Sequence, residues 1–188
     1  MAEKAPRRAN HEDVSGAPAD VIAEVIKGVL YTQRRPDFPH GQAASALSEE
    51  LGPPFKRGRG GPGGWIILYE PEVHLGPGPD ILVPDLAGWR REALPQAPST
   101  SYATHRPDYA CEIHSPSTRA RDRVQEMSIY SREQVPHVWL VDPESQTLEV
   151  FRFEGTAYVW IQAFAEECSV RAEPFDAIAF DLGVLWPW

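Results

Sequence analysis

The run "HVWLVD" at residues 137–142 constrains the fold more than any other stretch of the chain. It is nearly all apolar, and a short run of that kind reads as a central strand buried on both faces. Such a sheet needs a layer on each side. Two segments carry helix signals. "HGQAASALSEEL" (40–51) places Ala43, Ala44, Leu47 and Leu51 at helical spacing. "SPSTRARDRVQEMSIYSREQ" (115–134) opens with Ser115 as N-cap and Pro116 at the first helical position, puts Ala120, Val124, Met127 and Ser131 on one face, and is stopped at Val135-Pro136. Strands are expected over 65–75 (bent or interrupted), 80–89 and 108–114. Hairpins are expected at "VI-KG-VLY" and at "LEVFRF" and "AYVWIQAF", which flank Glu154-Gly155. "GPPFKRGRGGPGG" (52–64) reads as a mobile Gly/Pro loop, and the apolar tail "FDAIAFDLGVLWPW" as a segment docked on the sheet. The fold class is therefore α/β: a mixed sheet flanked by helices.

A chain of 188 residues suits one domain, here 20–188, preceded by a polar lead-in over 1–19 that is expected to be disordered. That lead-in has no apolar h-region, so it does not read as a secretory signal, and no run reaches the roughly 20 apolar residues of a membrane span. Cys111 and Cys168 form neither a disulfide framework nor a zinc spacing, so both are expected as small core residues in a reducing compartment, the cytoplasm. The net charge of −9 argues against wrapping of nucleic acid along a basic stripe. Contacts with DNA are limited to local basic spots: Arg34-Arg35, "KRGRG" (56–60), Arg90-Arg91 and "RARDR" (119–123).

Glu112 lies in the middle of "DYACEIH", where an ionised carboxylate is costly to bury without a partner. Asp85 follows Pro84 inside the preceding apolar stretch. Carboxylates on neighbouring strands repel, shift a pKa or recruit a cation. A hard ion such as Mg²⁺ needs one or two carboxylates, a carbonyl and waters. The alternative is that Asp85 caps a turn and Glu112 pairs with a helix arginine such as Arg119. Ser115 and Ser117 lack the glycines of a nucleophile elbow, and the histidines form no H-x-x-x-H pair, which argues against a serine hydrolase and a zinc enzyme. Trp65, Trp139, Trp160 and Trp186 fall in apolar runs and are expected in the core.

"VPDLAGWR", "CEIHSPSTRARDR", a helix with Tyr130 and "VPHVWLVDP" together resemble the Uma-type endonucleases of the PD-(D/E)XK superfamily. The likeness extends to "AEVIKGVLY", His40 and "EPFDAIAFDLGVLW", and so covers roughly residues 20–187. It implies a restriction endonuclease-like core and a Mg²⁺- or Mn²⁺-dependent site that hydrolyses DNA phosphodiesters. Asp85 and Glu112 would hold the metal, with the Ile113 carbonyl as third oxygen. Glu72 matches a further acidic position that would bind the metal directly or through water, and Glu24 matches another, each with a surface role as the alternative. The chain departs from the pattern at the lysine: His114 stands two residues after Glu112, and Glu126 stands at the helix position that supplies the lysine in relatives. His114 is the candidate base or a metal-adjacent donor, Glu126 either approaches the metal or faces solvent, and Gln125 is a neutral group to hold the water. Two readings stay open, a metal-dependent endonuclease and a catalytically impaired nuclease fold used for binding or assembly. Members of this fold dimerise to cut two strands, which implies a homodimer, with the aromatic tail as the contact unless it is buried in its own domain.

Overall fold

The apolar run at 137–142 has strands on both sides and a packed layer on each face. The structure, a computed structural model, describes residues 7–34, 36–115 and 122–186. In chain order these form α1 (His11–Ser15), β1 (Val21–Ile26), β2 (Val29–Arg34), α2 (Phe38–Leu51), β3 (Trp65–Tyr69), β4 (Val73–Leu75), β5 (Asp80–Leu82), β6 (Leu86–Arg90), β7 (Tyr109–Ile113), α3 (Met127–Arg132), β8 (His137–Asp142), β9 (Thr147–Glu154), β10 (Ala157–Ala165), β11 (Ser169–Val170) and β12 (Phe180–Asp181). A six-stranded sheet runs β10-β9-β8-β7-β6-β3, and a four-stranded sheet runs β2-β1-β5-β4. In the larger sheet β7 and β8 are parallel, from Tyr109 opposite His137 to Ile113 opposite Val141, and the other pairs are antiparallel.

Side chains of a strand alternate between faces, and β7 divides them cleanly. Tyr109, Cys111 and Ile113 pack with Leu47 of α2 and with Phe175 and Leu185 of the C-terminal segment. Ala110 packs on the other face with Ile129 and Tyr130 of α3. Glu112 shares the Ala110 face. The tail thus docks on the sheet as expected, Leu185 and Trp186 being buried. Among the described residues no helix is long and apolar enough to cross a membrane.

Four local expectations are corrected. The stretches 65–75 and 80–89 are each two strands in two sheets, because Pro71 and Pro84 cannot donate to a ladder and the chain changes sheet beside them. Gly52–Lys56 is a π turn continuing α2, with Pro54 and Phe55 buried. Pro53 and Pro54 lack an N–H, and the wider turn is closed instead by the Arg57 N–H on the Gly52 carbonyl at 3.0 Å. Trp160 is 61% exposed, since β10 is an edge strand. Residues 7–19, expected to be disordered, hold α1, capped by the Asn10 side chain on the Glu12 and Asp13 N–H groups.

The second predicted helix changes in a way that bears on function. Pro116, Arg119 and Ala120 lie outside the described residues. Asp122–Glu126 is a π turn that leads into α3. The wider turn rotates Val124 out, to 70% exposure, and turns Glu126 in, where it is buried with Ile129 and Tyr130. The Glu112–Arg119 pairing likewise falls outside the described residues.

Candidate active site

Asp85 sits where the chain re-enters the larger sheet, one residue before β6, and both its oxygens are engaged. Oδ2 accepts the Ile113 N–H at 2.6 Å, and Oδ1 lies 2.9 Å from His40 Nε2. The Asp85 carbonyl accepts the Glu70 N–H at 3.0 Å, which ties both sheet crossings together at this point. His40 is placed by the start of α2, where the Asp37 side chain caps its N–H at 3.2 Å. Burial works against the His40 imidazolium, but the hydrogen bond and charge of Asp85, with the charges of Asp37 and Glu70, outweigh it and hold His40 above its ordinary pKa.

Glu112 is paired across the sheet face. Its Oε1 accepts the Tyr130 hydroxyl at 2.5 Å, so α3 holds the carboxylate that β7 presents. The Tyr130 pKa is raised well above its ordinary value, first by burial, then by the charges of Glu112, Glu126 and Glu24 around it. Tyr130 therefore stays protonated and donates. Glu24, on β1, accepts the Val83 N–H at 3.0 Å, and Arg132 on α3 reaches Asp80 on β5 at 2.8 Å, which anchors the helix to the smaller sheet. Glu24, Asp85, Glu112 and Glu126 are all between 2% and 7% exposed, so neither Glu24 nor Glu126 is a surface residue.

His114 is buried, and its N–H continues the ladder to the Val141 carbonyl at 2.7 Å, which keeps it in extended chain two residues beyond Glu112. Ile113 contributes its N–H to Asp85, and Gln125 is half-buried on the π turn. Glu72 is placed with other partners: its Oε1 lies 2.6 Å from His74 Nε2 and 3.2 Å from His11 Nε2. Sequence reasoning singled out Asp85 and Glu112 but not their contacts with His40, Tyr130 and Glu70. A histidine three residues after an Asp-x-Pro N-cap and a tyrosine inside an apolar helix carry no local sign of a carboxylate partner.

Hard oxygen donors dominate this set. A carboxylate oxygen is the donor type that a hard divalent cation takes, so the chemistry of these residues suits such an ion. A family model described as "Uma2: Putative restriction endonuclease" matches residues 10–183. A solved structure, that of a putative nuclease belonging to DUF820 from Anabaena variabilis, superposes with a TM-score of 0.74 at 19% identity, over 93% of this chain and 95% of that one. It shares the fold, a restriction endonuclease-like core with a mixed sheet flanked by helices. No curated protein matches the chain.

Proposed function

The chain belongs to the Uma2 family, and on that premise we propose that it is a divalent-metal-dependent endonuclease that hydrolyses DNA phosphodiesters. The observation that carries this reading is that two buried carboxylates are held at β7, Asp85 by the Ile113 N–H and Glu112 by the Tyr130 hydroxyl, with the buried Glu24 and Glu126 adding negative charge around Tyr130. Asp85 and Glu112 would hold the ion, with the Ile113 carbonyl and either Glu24 or Glu126 completing the oxygen shell. Bound there, Mg²⁺ or Mn²⁺ supplies a Lewis acid for the phosphate and lowers the pKa of a water.

The chain's own groups do the rest. The Ile113 N–H and His40 Nε2 fix the plane of the Asp85 carboxylate, and Tyr130 fixes Glu112. Their preorganisation removes a cost that flexible carboxylates would incur at each turnover. His114, which replaces the motif lysine, is the base candidate that takes a proton from the attacking water, since imidazole titrates near neutral pH. The acidic chain favours a short DNA contact over broad wrapping, with Lys56, Arg57 and Arg59, all exposed, as candidate phosphate contacts. A homodimer would place two such sites against two strands.

A second reading is favoured by one specific observation: both positions that supply the lysine hold other buried residues, His114 and Glu126. In that reading the fold serves binding or assembly. Cleavage of supercoiled plasmid with Mg²⁺ or Mn²⁺ separates them. The nuclease reading predicts nicking by the wild type, its loss in Asp85→Asn, and faster nicking in Glu126→Lys. Metal-independent nicking, or nicking that survives Asp85→Asn, contradicts it. Metal binding without nicking, even in Glu126→Lys, supports the second reading.

A further inference from the structure

Three side chains outside the acidic centre meet on the smaller sheet. Glu72 and His74 are two apart along extended chain and so share a side. Both are fixed by Ala103: the Glu72 carbonyl accepts its N–H at 2.9 Å, and the His74 N–H donates to its carbonyl at 2.8 Å. The neighbouring Tyr102 stacks on the His74 ring, with centroids 3.8 Å apart and planes 2° from parallel. His11, the first residue of α1, packs its ring 5.0 Å from Tyr102 and 5.2 Å from His74. The lead-in that carries it is held by the Asn10 capping box and by the Ala9 N–H on the Gly28 carbonyl at 2.8 Å.

Both imidazole Nε2 atoms are aimed at one oxygen, Glu72 Oε1, at 2.6 and 3.2 Å, and one donor atom from each of the three residues lies within 4.8 Å of the others. Tetrahedral bonds of about 2.0–2.1 Å place donor atoms roughly 3.3 Å apart. The His11–Glu72 separation already has that value, and the His74–Glu72 pair needs to open by under an ångström. Two imidazoles and one carboxylate suit a borderline ion, whereas Mg²⁺ prefers oxygen. On its Glu72 side the cluster borders open space: Glu72 and Tyr102 line a cavity of about 590 Å³, and Glu72 and Glu70 line a cleft of about 400 Å³.

We propose that His11, Glu72 and His74 form a three-ligand site for Zn²⁺ or a similar borderline divalent ion, separate from the acidic centre, which fastens α1 and the lead-in to the smaller sheet. His11 comes from the lead-in, distant in sequence from the neighbouring Glu72 and His74, which is why the missing H-x-x-x-H pair does not count against the site. The proposal stands whether or not the acidic centre cuts DNA.

Metal-stripped protein titrated with Zn²⁺ against a chromophoric chelator tests it, in wild type, His11→Gln, His74→Gln and Asp85→Asn. The expected result is one tight equivalent in wild type and Asp85→Asn, weakened at least ~10-fold in either histidine variant. Trypsin cleavage after Arg8 should slow on adding Zn²⁺ to the wild type and not to His11→Gln. His11 is 40% exposed on a short helix, so its replacement leaves the core intact. Full affinity in His11→Gln, no tight Zn²⁺ in the wild type, or loss of Zn²⁺ only in Asp85→Asn overturns the proposal.

Discussion

Two clusters of carboxylates and histidines in the molecule differ in kind. Around Tyr130 the donors are mostly oxygens, buried between the two sheets and α3, and each side chain with a described bond is fixed by a backbone N–H, a hydroxyl or an imidazole. Around Glu72 the donors are mostly nitrogens, on a short strand beside a half-exposed helix. At positions two residues apart, the chain serves both clusters: the Glu70 main-chain N–H donates to the Asp85 carbonyl, and the Glu72 side chain turns to the histidines. The difference teaches that placement and donor type, not acidity alone, decide which ion a cluster suits: a hard ion in the first, a borderline ion in the second.

The largest effect that would sharpen this contrast is Asp85→Asn, expected to reduce metal-dependent cleavage roughly 100-fold or more while leaving Zn²⁺ affinity unchanged. Parallel nicking and Zn²⁺ titrations check it. Next comes Tyr130→Phe, which leaves the buried Glu112 oxygen without its hydroxyl donor. Urea denaturation should show a loss of about 1–3 kcal/mol, and an unchanged midpoint would break the claim that this hydroxyl holds the site. The His40–Asp85 contact gives a smaller, pH-dependent effect. The folded-state pKa of His40 is raised, so its stabilisation is fully present below the unfolded histidine value and lost as pH rises through the folded one. In metal-free buffer, His40→Gln should therefore lose more stability relative to wild type at pH 6 than at pH 9; an equal loss at both contradicts the pairing. Smallest is His11→Gln without metal, expected to shift stability by no more than about 0.5 kcal/mol. A larger loss would show that α1 is fastened by more than an ion.

Much of this was legible in the sequence, for physical reasons. A nearly all-apolar strand and two helical patterns restrict the chain to a layered sheet, and a glutamate inside an apolar strand must be satisfied by something. The split of 65–75 and 80–89 between two sheets was not legible, because single prolines mark a break without saying where each half pairs; β5 meets β1 at one residue pair, Val25 with Ile81. The inward turn of Glu126 depended on a π turn, which helical spacing does not encode. His11 meets Glu72 and His74 only through tertiary packing, whereas the Glu-x-His spacing of the latter two is local in the sequence.

The most direct test of the acidic centre is a calorimetric Mn²⁺ titration in a His11→Gln background, with and without Asp85→Asn. The account predicts binding that disappears when Asp85 is changed. Equal binding in both proteins, or none in either, would mean that the four buried carboxylates are structural and hold no metal.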